Sequence, residues 1–442
     1  MSIQRLLPLL LLAASSAFAQ LDLRESIRAK AEQLYPDLEP VYRDFHLHPE
    51  LSGKEERTSE RLAEQLEKVG LQVTRRVGGF GVVALLKNGQ GPTVLVRSDM
   101  DALPVIEQTG APYASTTKTN DAKGNLVGVM HACGHDMHMT VLVGVAATLM
   151  DLKDKWKGTL VMIGQPAEEK VQGAEAMLKD GLFRRFPKPD FCLALHCSAD
   201  LPSGSIGITE GYALANVDSV DIVIKGVGGH GAWPHRTKDP VVLAAQTVIA
   251  LQTIVSRETD PTQPAVVTVG SIHGGTKYNI IPDEVRLQLT LRSYSDEVRS
   301  HTIEAIKRIT HGLADAAGIP PEKYPTVTVS DESSPATYND PALSHRLAEV
   351  FKTTLGADHF ASTKPIMGAE DFGLLGRTED KIPLCIFWLG TVDPLKFKES
   401  QAMKTPLPAL HSSQYLPDRE LSFKTGVRAM SAAVLELFSG KR

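Results

Sequence analysis

Two short runs, residues 159–163 and 191–195, apolar apart from Thr159 at the start of the first, most constrain what this chain can fold into. They are too short for a buried helix. They also lack the polar alternate positions that would turn one face to water. They therefore read as strands buried on both faces. Helical periodicity separates them from their neighbours. Residues 137–150 place Val141, Leu142, Val145 and Leu149 on one face. Earlier, Leu62, Leu66 and Val69 recur at helical spacing before Gly70 closes the segment. Strand-like runs at 72–76, 81–86 and 93–96 lie between the two helical stretches. This alternation predicts an α/β layer around a mostly parallel sheet.

The rhythm changes near Tyr212. Residues 217–225 alternate with period two, 240–256 are helical, 265–271 and 284–293 are strands, and 296–317 are helical again. Val285, Leu287, Leu289 and Leu291 mark one face of the second strand. The β-α-β-β-α-β order reads as an inserted ferredoxin-like α+β domain of roughly 110 residues. The expected division is a leader over 1–19, a catalytic domain over 20–211, the insert over 212–326, and the catalytic domain resumed over 327–442.

The leader carries one charge, Arg5, before the apolar run 6–14, and Ala17-Phe18-Ala19 fits a cleavage site. That pattern is a secretory signal peptide, and it predicts export to a periplasm or the extracellular space. No later segment is expected to be long and apolar enough to span a membrane. Net charge is −5 over 442 residues, without long single-sign runs, so nothing calls for nucleic acid as partner. Four cysteines in a chain this long make no disulfide framework. Cys192 and Cys385 sit in apolar runs and read as core. The role of Cys197 is open. Cys133 lies in a polar, His-flanked loop suited to a reactive or metal-bound thiolate.

Four segments carry chemistry: His131-Ala132-Cys133-Gly134-His135-Asp136-Met137-His138, Gln165-Pro166-Ala167-Glu168-Glu169, Leu195-His196-Cys197 and Leu410-His411-Ser412-Ser413. The second and third each follow an apolar strand, where open α/β sheets place their ligands. Cys, His and Glu are ligand types for zinc, and imidazole with carboxylate also suits manganese or nickel. Each segment alone has a plainer reading. Adjacent acids are usually a solvated turn, and a His-Cys pair after a strand is usually structural. An adjacent pair also has a chemical use: one carboxylate binds a metal while the other acts as general base. Cys133 as a nucleophile activated by His131 or His135 is the alternative.

The combination resembles the M20 metallopeptidase family, in the subgroup of hippurate hydrolases and indole-acetyl-amino-acid amidohydrolases. The matching residues include Arg43-Asp44-Phe45-His46-Leu47-His48-Pro49-Glu50-Leu51-Ser52, Arg97-Ser98-Asp99-Met100-Asp101-Ala102-Leu103-Pro104 and the first two of the segments above. Gly228-Gly229-His230-Gly231-Ala232-Trp233-Pro234-His235, Tyr278-Asn279-Ile280-Ile281-Pro282 and Met367-Gly368-Ala369-Glu370-Asp371-Phe372 extend the match. The resemblance implies two domains, the insert serving as a lid that often dimerises. It implies two divalent cations (Zn, Mn, Ni or Co) held by Cys133, His135, Glu169, His196 and His411, with Cys133 bridging and Glu168 as the free base. It implies hydrolysis of an N-acyl-amino acid or short peptide, with His230, Asn279 and Arg292 contacting substrate. Asp136 is expected behind the ligands, fixing a ligand ring. The wider family's His-x-Asp ligand motif stands here as Arg97-Ser98-Asp99. Arginine cannot bind a cation, so the duty of Asp99 is open. His46 and His48 are expected to be structural rather than ligands.

Overall fold

The structure is a computed structural model that describes the backbone of residues 7–440 and the side chains of residues 23–440. The first six residues of the expected leader lie outside the described residues. The backbone of the others runs within the first helix, Leu7–Leu47. The chain forms two compact units. One runs to Gly211 and takes up 339–364 and everything from Leu375. The other comprises 212–338 and 365–374.

The larger unit is built on eight strands. In spatial order they are Gln72–Val77, Gly81–Asn88, Gly158–Gln165, Thr93–Asp99, Phe191–Pro202, Leu384–Val392, Ile206–Ile208 and Phe360–Ser362. The four middle strands, from Gly158–Gln165 to Leu384–Val392, are mutually parallel. The first two run antiparallel. The two apolar runs seen in the sequence are central strands, and their residues are buried almost without break. Helices Leu7–Leu47, His135–Asp151, Pro341–Leu355 and Arg419–Phe438 pack around the sheet and on one another. Tyr42, Phe45, Leu66, Phe351, Phe387 and Phe423 fill the core they share. Removing one such aromatic side chain typically costs about 3–5 kcal/mol. Because the middle strands are parallel, their carboxyl ends share one edge. Asp99, the loop after Gln165 and the later part of Phe191–Pro202 meet there.

The main sheet of the second unit has four antiparallel strands in the order Ala265–Gly274, Glu284–Ser293, Val217–Lys225, Thr326–Ser334. With helices Pro240–Thr253 and Asp296–Ala316 this is the ferredoxin-like arrangement. Val220, Ile222, Leu287, Leu289, Ala305 and Ile306 form its core. Alternation is visible along Glu284–Ser293, where every second residue is buried. The unit extends past the expected end at 326, because its fourth strand only begins there and pairs with Val217–Lys225. It also takes up 365–374, where Ala215 N–H donates to the carbonyls of Ile366 and Gly368.

One expectation fails outright. Pro240–Glu258 is a 19-residue helical stretch long and apolar enough to cross a membrane by length and composition. Here Leu243, Ala244, Thr247, Leu251 and Ile254 are buried within the unit's core.

Candidate metal centre

The loop 131–134 delivers Cys133 at the amino end of helix His135–Asp151. Its turn depends on Gly134, whose φ is +82° and where a Cβ would stand 2.9 Å from Cys197 Sγ. Cys197 therefore has a steric role: it fills the space behind this turn. Cys133 Sγ lies 3.5 Å from His196 Nε2 and 3.2 Å from His411 Nε2. His411 also stands 3.5 Å from Glu169 Oε1 and adopts a left-handed backbone, φ 67°. Its own N–H donates to Ala132 O at 2.8 Å, tying the last motif to the first.

The donor atoms fall into overlapping triads, each with its atoms within 4.8 Å of one another. One is Cys133, His135 and His196; another is Cys133, Glu169 and His411. The thiol is common to both. His135 Nδ1 meets Asp101 O at 2.8 Å, which directs Nε2 toward Glu168 at 3.9 Å and Glu169 at 3.8 Å. His196 Nδ1 similarly meets Cys197 O at 2.8 Å and leaves Nε2 facing the thiol.

The electrostatics of this cluster fit a cation. His135 Nε2, Glu169 Oε1 and Asp101 Oδ1 are buried yet have no hydrogen-bond partner. Buried polar atoms ordinarily have one. Burial pushes the Cys133 thiol well up, and the carboxylates of Glu169, Glu168 and Asp99 push it further. Burial likewise raises Glu169, against the opposing pull of His135. A divalent ion among soft and hard donors of this kind supplies the missing partner and reverses those shifts.

Behind the donors lies a layer that holds them. Asp101 Oδ2 accepts from Ser52 Oγ at 2.6 Å and from Glu169 N–H at 2.9 Å. Asp101 thus supports His135 and Glu169 together, and sequence reasoning missed it. Its place just past a strand's carboxyl end was the available signal. Asp99 stands between Arg97 Nη1 at 2.7 Å and His138 Nδ1 at 2.6 Å. Burial opposes its ionisation, but His135, His138 and Arg97 hold Asp99 well below the usual carboxylate range. Asp99 thus anchors Arg97 and His138. His138 Nε2 accepts from Cys197 N–H at 2.8 Å, so both its ring nitrogens are engaged. Burial drives its pKa down to about 4 and keeps it neutral.

Asp136 does not fix a ligand ring. Its Oδ2 pairs with His46 Nδ1 at 2.6 Å, and His46 Nε2 reaches Glu107 at 3.1 Å. Successive helical residues point about 100° apart, so the residue after His135 faces away from the donors. His46 is structural, and exposed His48 pairs with Asp44.

In the second unit, Gly229–His230 pairs with Ile280–Ile281, and Gly231 N–H donates to Asn279 O at 2.9 Å. His230 and Asn279 are thus neighbours. Arg292 is not among them. It lies eight residues along its strand from Glu284, roughly 26 Å at strand rise. There its Nη1 bonds locally, to Thr290 Oγ1 at 2.6 Å and Leu291 O at 2.9 Å.

Residues 95–413 match the profile of peptidase family M20/M25/M40. The chain belongs to that family. It is a hydrolase. A thermostable carboxypeptidase of Saccharolobus solfataricus is 35% identical over 425 residues, covering 95% of this chain and all of that one. The hippurate hydrolase of Campylobacter jejuni is 36% identical over 345 residues, 77% of this chain and 85% of that one. Among solved structures, the Bacillus subtilis YXEP protein, described as a dinuclear metal binding peptidase from the M20 family, superposes with a TM-score of 0.74 at 28% identity. It covers 93% of this chain and all of that one.

Proposed function

We propose that this M20 hydrolase cleaves the amide bond of N-acyl-amino acids, the hippurate-like class, with the help of two divalent cations. Cys133, His135 and His196 would hold one; Cys133, Glu169 and His411 would hold the other. The observation that carries the reading is the thiol shared by two donor triads. Zinc, manganese, nickel and cobalt all suit this donor set. Bound there, the cations polarise the substrate carbonyl and acidify water.

Glu168 is the residue left to move the proton. It is buried, beside the donors, and 3.9 Å from His135 Nε2. Its carboxylate takes a proton from the attacking water and returns it to the leaving nitrogen. The products are a carboxylic acid and an amino acid, and no acyl-enzyme is needed. Without a cation, burial and the flanking carboxylates raise the Cys133 thiol, which disfavours a free nucleophilic thiolate and leaves a divalent ion to stabilise the sulfur as a ligand. His230 and Asn279 are proposed as polar contacts to the substrate. Cleavage of short peptides is the second reading, supported by the carboxypeptidase relative.

Two proposals concern assembly and address. The helix Pro240–Thr253 carries no charge and exposes Val241, Val242 and Ile249. Such a face suits a homodimer through the second unit. Residues 1–19 are proposed as a cleaved export leader, so that the mature chain begins at Gln20.

Hydrolysis of a panel of N-acyl-amino acids and dipeptides, with Zn²⁺, Mn²⁺, Ni²⁺ or Co²⁺ in parallel, tests the reading. Activity should stop with a chelator and return with metal. Activity that survives complete metal removal but dies with a thiol alkylator establishes the cysteine mechanism instead.

A further inference from the structure

The loop that presents Glu168 and Glu169 has an uncommon backbone. Ala167 and Val171 both adopt left-handed conformations, with φ of 50° and 51°. Such a conformation costs a non-glycine residue on the order of 1–2 kcal/mol. It persists only where the surroundings over-determine it. Val171 N–H donates to Glu168 O at 2.6 Å and Gln172 N–H to Ala167 O at 3.1 Å. These bonds close the loop on itself, but they do not place it against the sheet.

Two long-range bonds do. One is Glu169 N–H to Asp101, described above. The other comes from Glu55, whose Oε1 accepts from Ala167 N–H at 2.8 Å across 112 residues of chain. The same oxygen accepts from Gly53 N–H at 2.9 Å. Glu55 is wholly buried, and its Oε2 has no hydrogen-bond partner. Burying a carboxylate in this way is costly. Helix capping does not explain it. Glu55 sits at the N-cap of Glu56–Val69, yet its side chain makes no capping bond. A serine or aspartate would serve there better. The segment is itself held in place, since Ala102 N–H donates to Glu50 O at 2.8 Å and Ser52 bonds Asp101.

We propose that Glu55 is a positioning residue for hydrolysis: by gripping the Ala167 N–H it holds the left-handed turn that sets where the Glu168 and Glu169 carboxylates stand. The role rests on the reading of Glu168 as general base. Displacement of a reacting group by about 1 Å is enough to cost on the order of 100-fold in rate.

The test compares Glu55→Ala, Glu55→Asp and Glu55→Gln with Glu168→Gln in the metal-loaded full chain. It measures kcat, KM, bound metal and melting temperature. Glu55→Ala and Glu55→Asp should lower kcat about 10- to 100-fold with KM little changed. Glu55→Gln keeps an acceptor oxygen for both N–H groups and should recover most of that loss. Melting temperatures that fall while kcat stays at the wild-type value would overturn the proposal, because they would make Glu55 merely structural. Should Glu55→Ala fail to fold, the contrast between Asp and Gln decides alone. A dead Glu168→Gln beside fully active Glu55 variants removes only the positioning role. A fully active Glu168→Gln removes the general-base reading and the positioning role with it.

Discussion

The two units treat buried charge in opposite ways. In the second unit, buried Asp218 is fully matched: Arg299 grips it with two hydrogen bonds, at 2.7 and 2.5 Å, and Asn216 adds a third at 2.8 Å. In the larger unit, Glu55, Asp101, His135 and Glu169 each hold at least one buried polar atom that has no hydrogen-bond partner. A matched ion pair is a structural device. Ionisable groups held together with open valences are a device for binding something that is not protein. The sheets differ correspondingly. The antiparallel sheet alternates and keeps most polar groups at its surface, whereas the parallel sheet gathers them at one buried edge.

The comparison can be broken most directly by exchanging the two kinds of residue. Glu168→Gln should lower kcat by about 100- to 10,000-fold while bound metal, measured by elemental analysis, stays normal. Asp218→Ala should do the reverse. It strands Arg299, which keeps partial contact with water, so unfolding free energy should fall by about 2–3 kcal/mol. Activity per folded molecule should persist. Loss of catalysis without loss of stability in the Asp218 variant would defeat the contrast.

A second test concerns His46, buried between Asp136 and Glu107. Burial alone would depress it, but hydrogen bonds to the two carboxylates carry it up to about 9. A raised folded-state pKa means the stabilisation is complete below about 6.5, the ordinary histidine value. It is then lost as pH climbs through 9. Denaturant unfolding across pH 6–10 should therefore show stability falling by on the order of 3 kcal/mol. In His46→Gln that slope should flatten. The smallest effect is expected at the outer face of Pro240–Thr253. Val242→Glu should shift a dimer toward monomer in sedimentation while altering unfolding by no more than about 0.5 kcal/mol.

The larger architecture was legible because it depends on periodicity. Apolar runs marked the central strands, and alternation marked the insert. Of the five proposed ligands, Cys133, His135 and Glu169 stand at a helix start or just past a strand end. His196 lies within Phe191–Pro202 and His411 in the loop before Arg419–Phe438, and the full set came from the family resemblance. The supporting residues were not legible. Glu55 resembles any charged residue at a helix start, and only the fold brings it to Ala167. Asp101 and His138 matter through hydrogen bonds to residues far along the chain. Asp136 was misread because neighbours in sequence are not neighbours on a helix. The domain boundary at 326 fell short because a strand pairing across the insert, not composition, sets where the second unit ends.

The order of the strands has a consequence for the birth of the protein. Leu384–Val392 lies inside the large sheet, between Phe191–Pro202 and Ile206–Ile208, although the whole second unit precedes it in the chain. On the ribosome, the amino-terminal half emerges with a gap where that strand belongs. The four-stranded sheet of the second unit, all within residues 217–334, is complete much earlier. The inserted unit thus has its sheet in hand while the unit around it still waits. His411 arrives later still, so the proposed metal centre closes as one of the last events of synthesis.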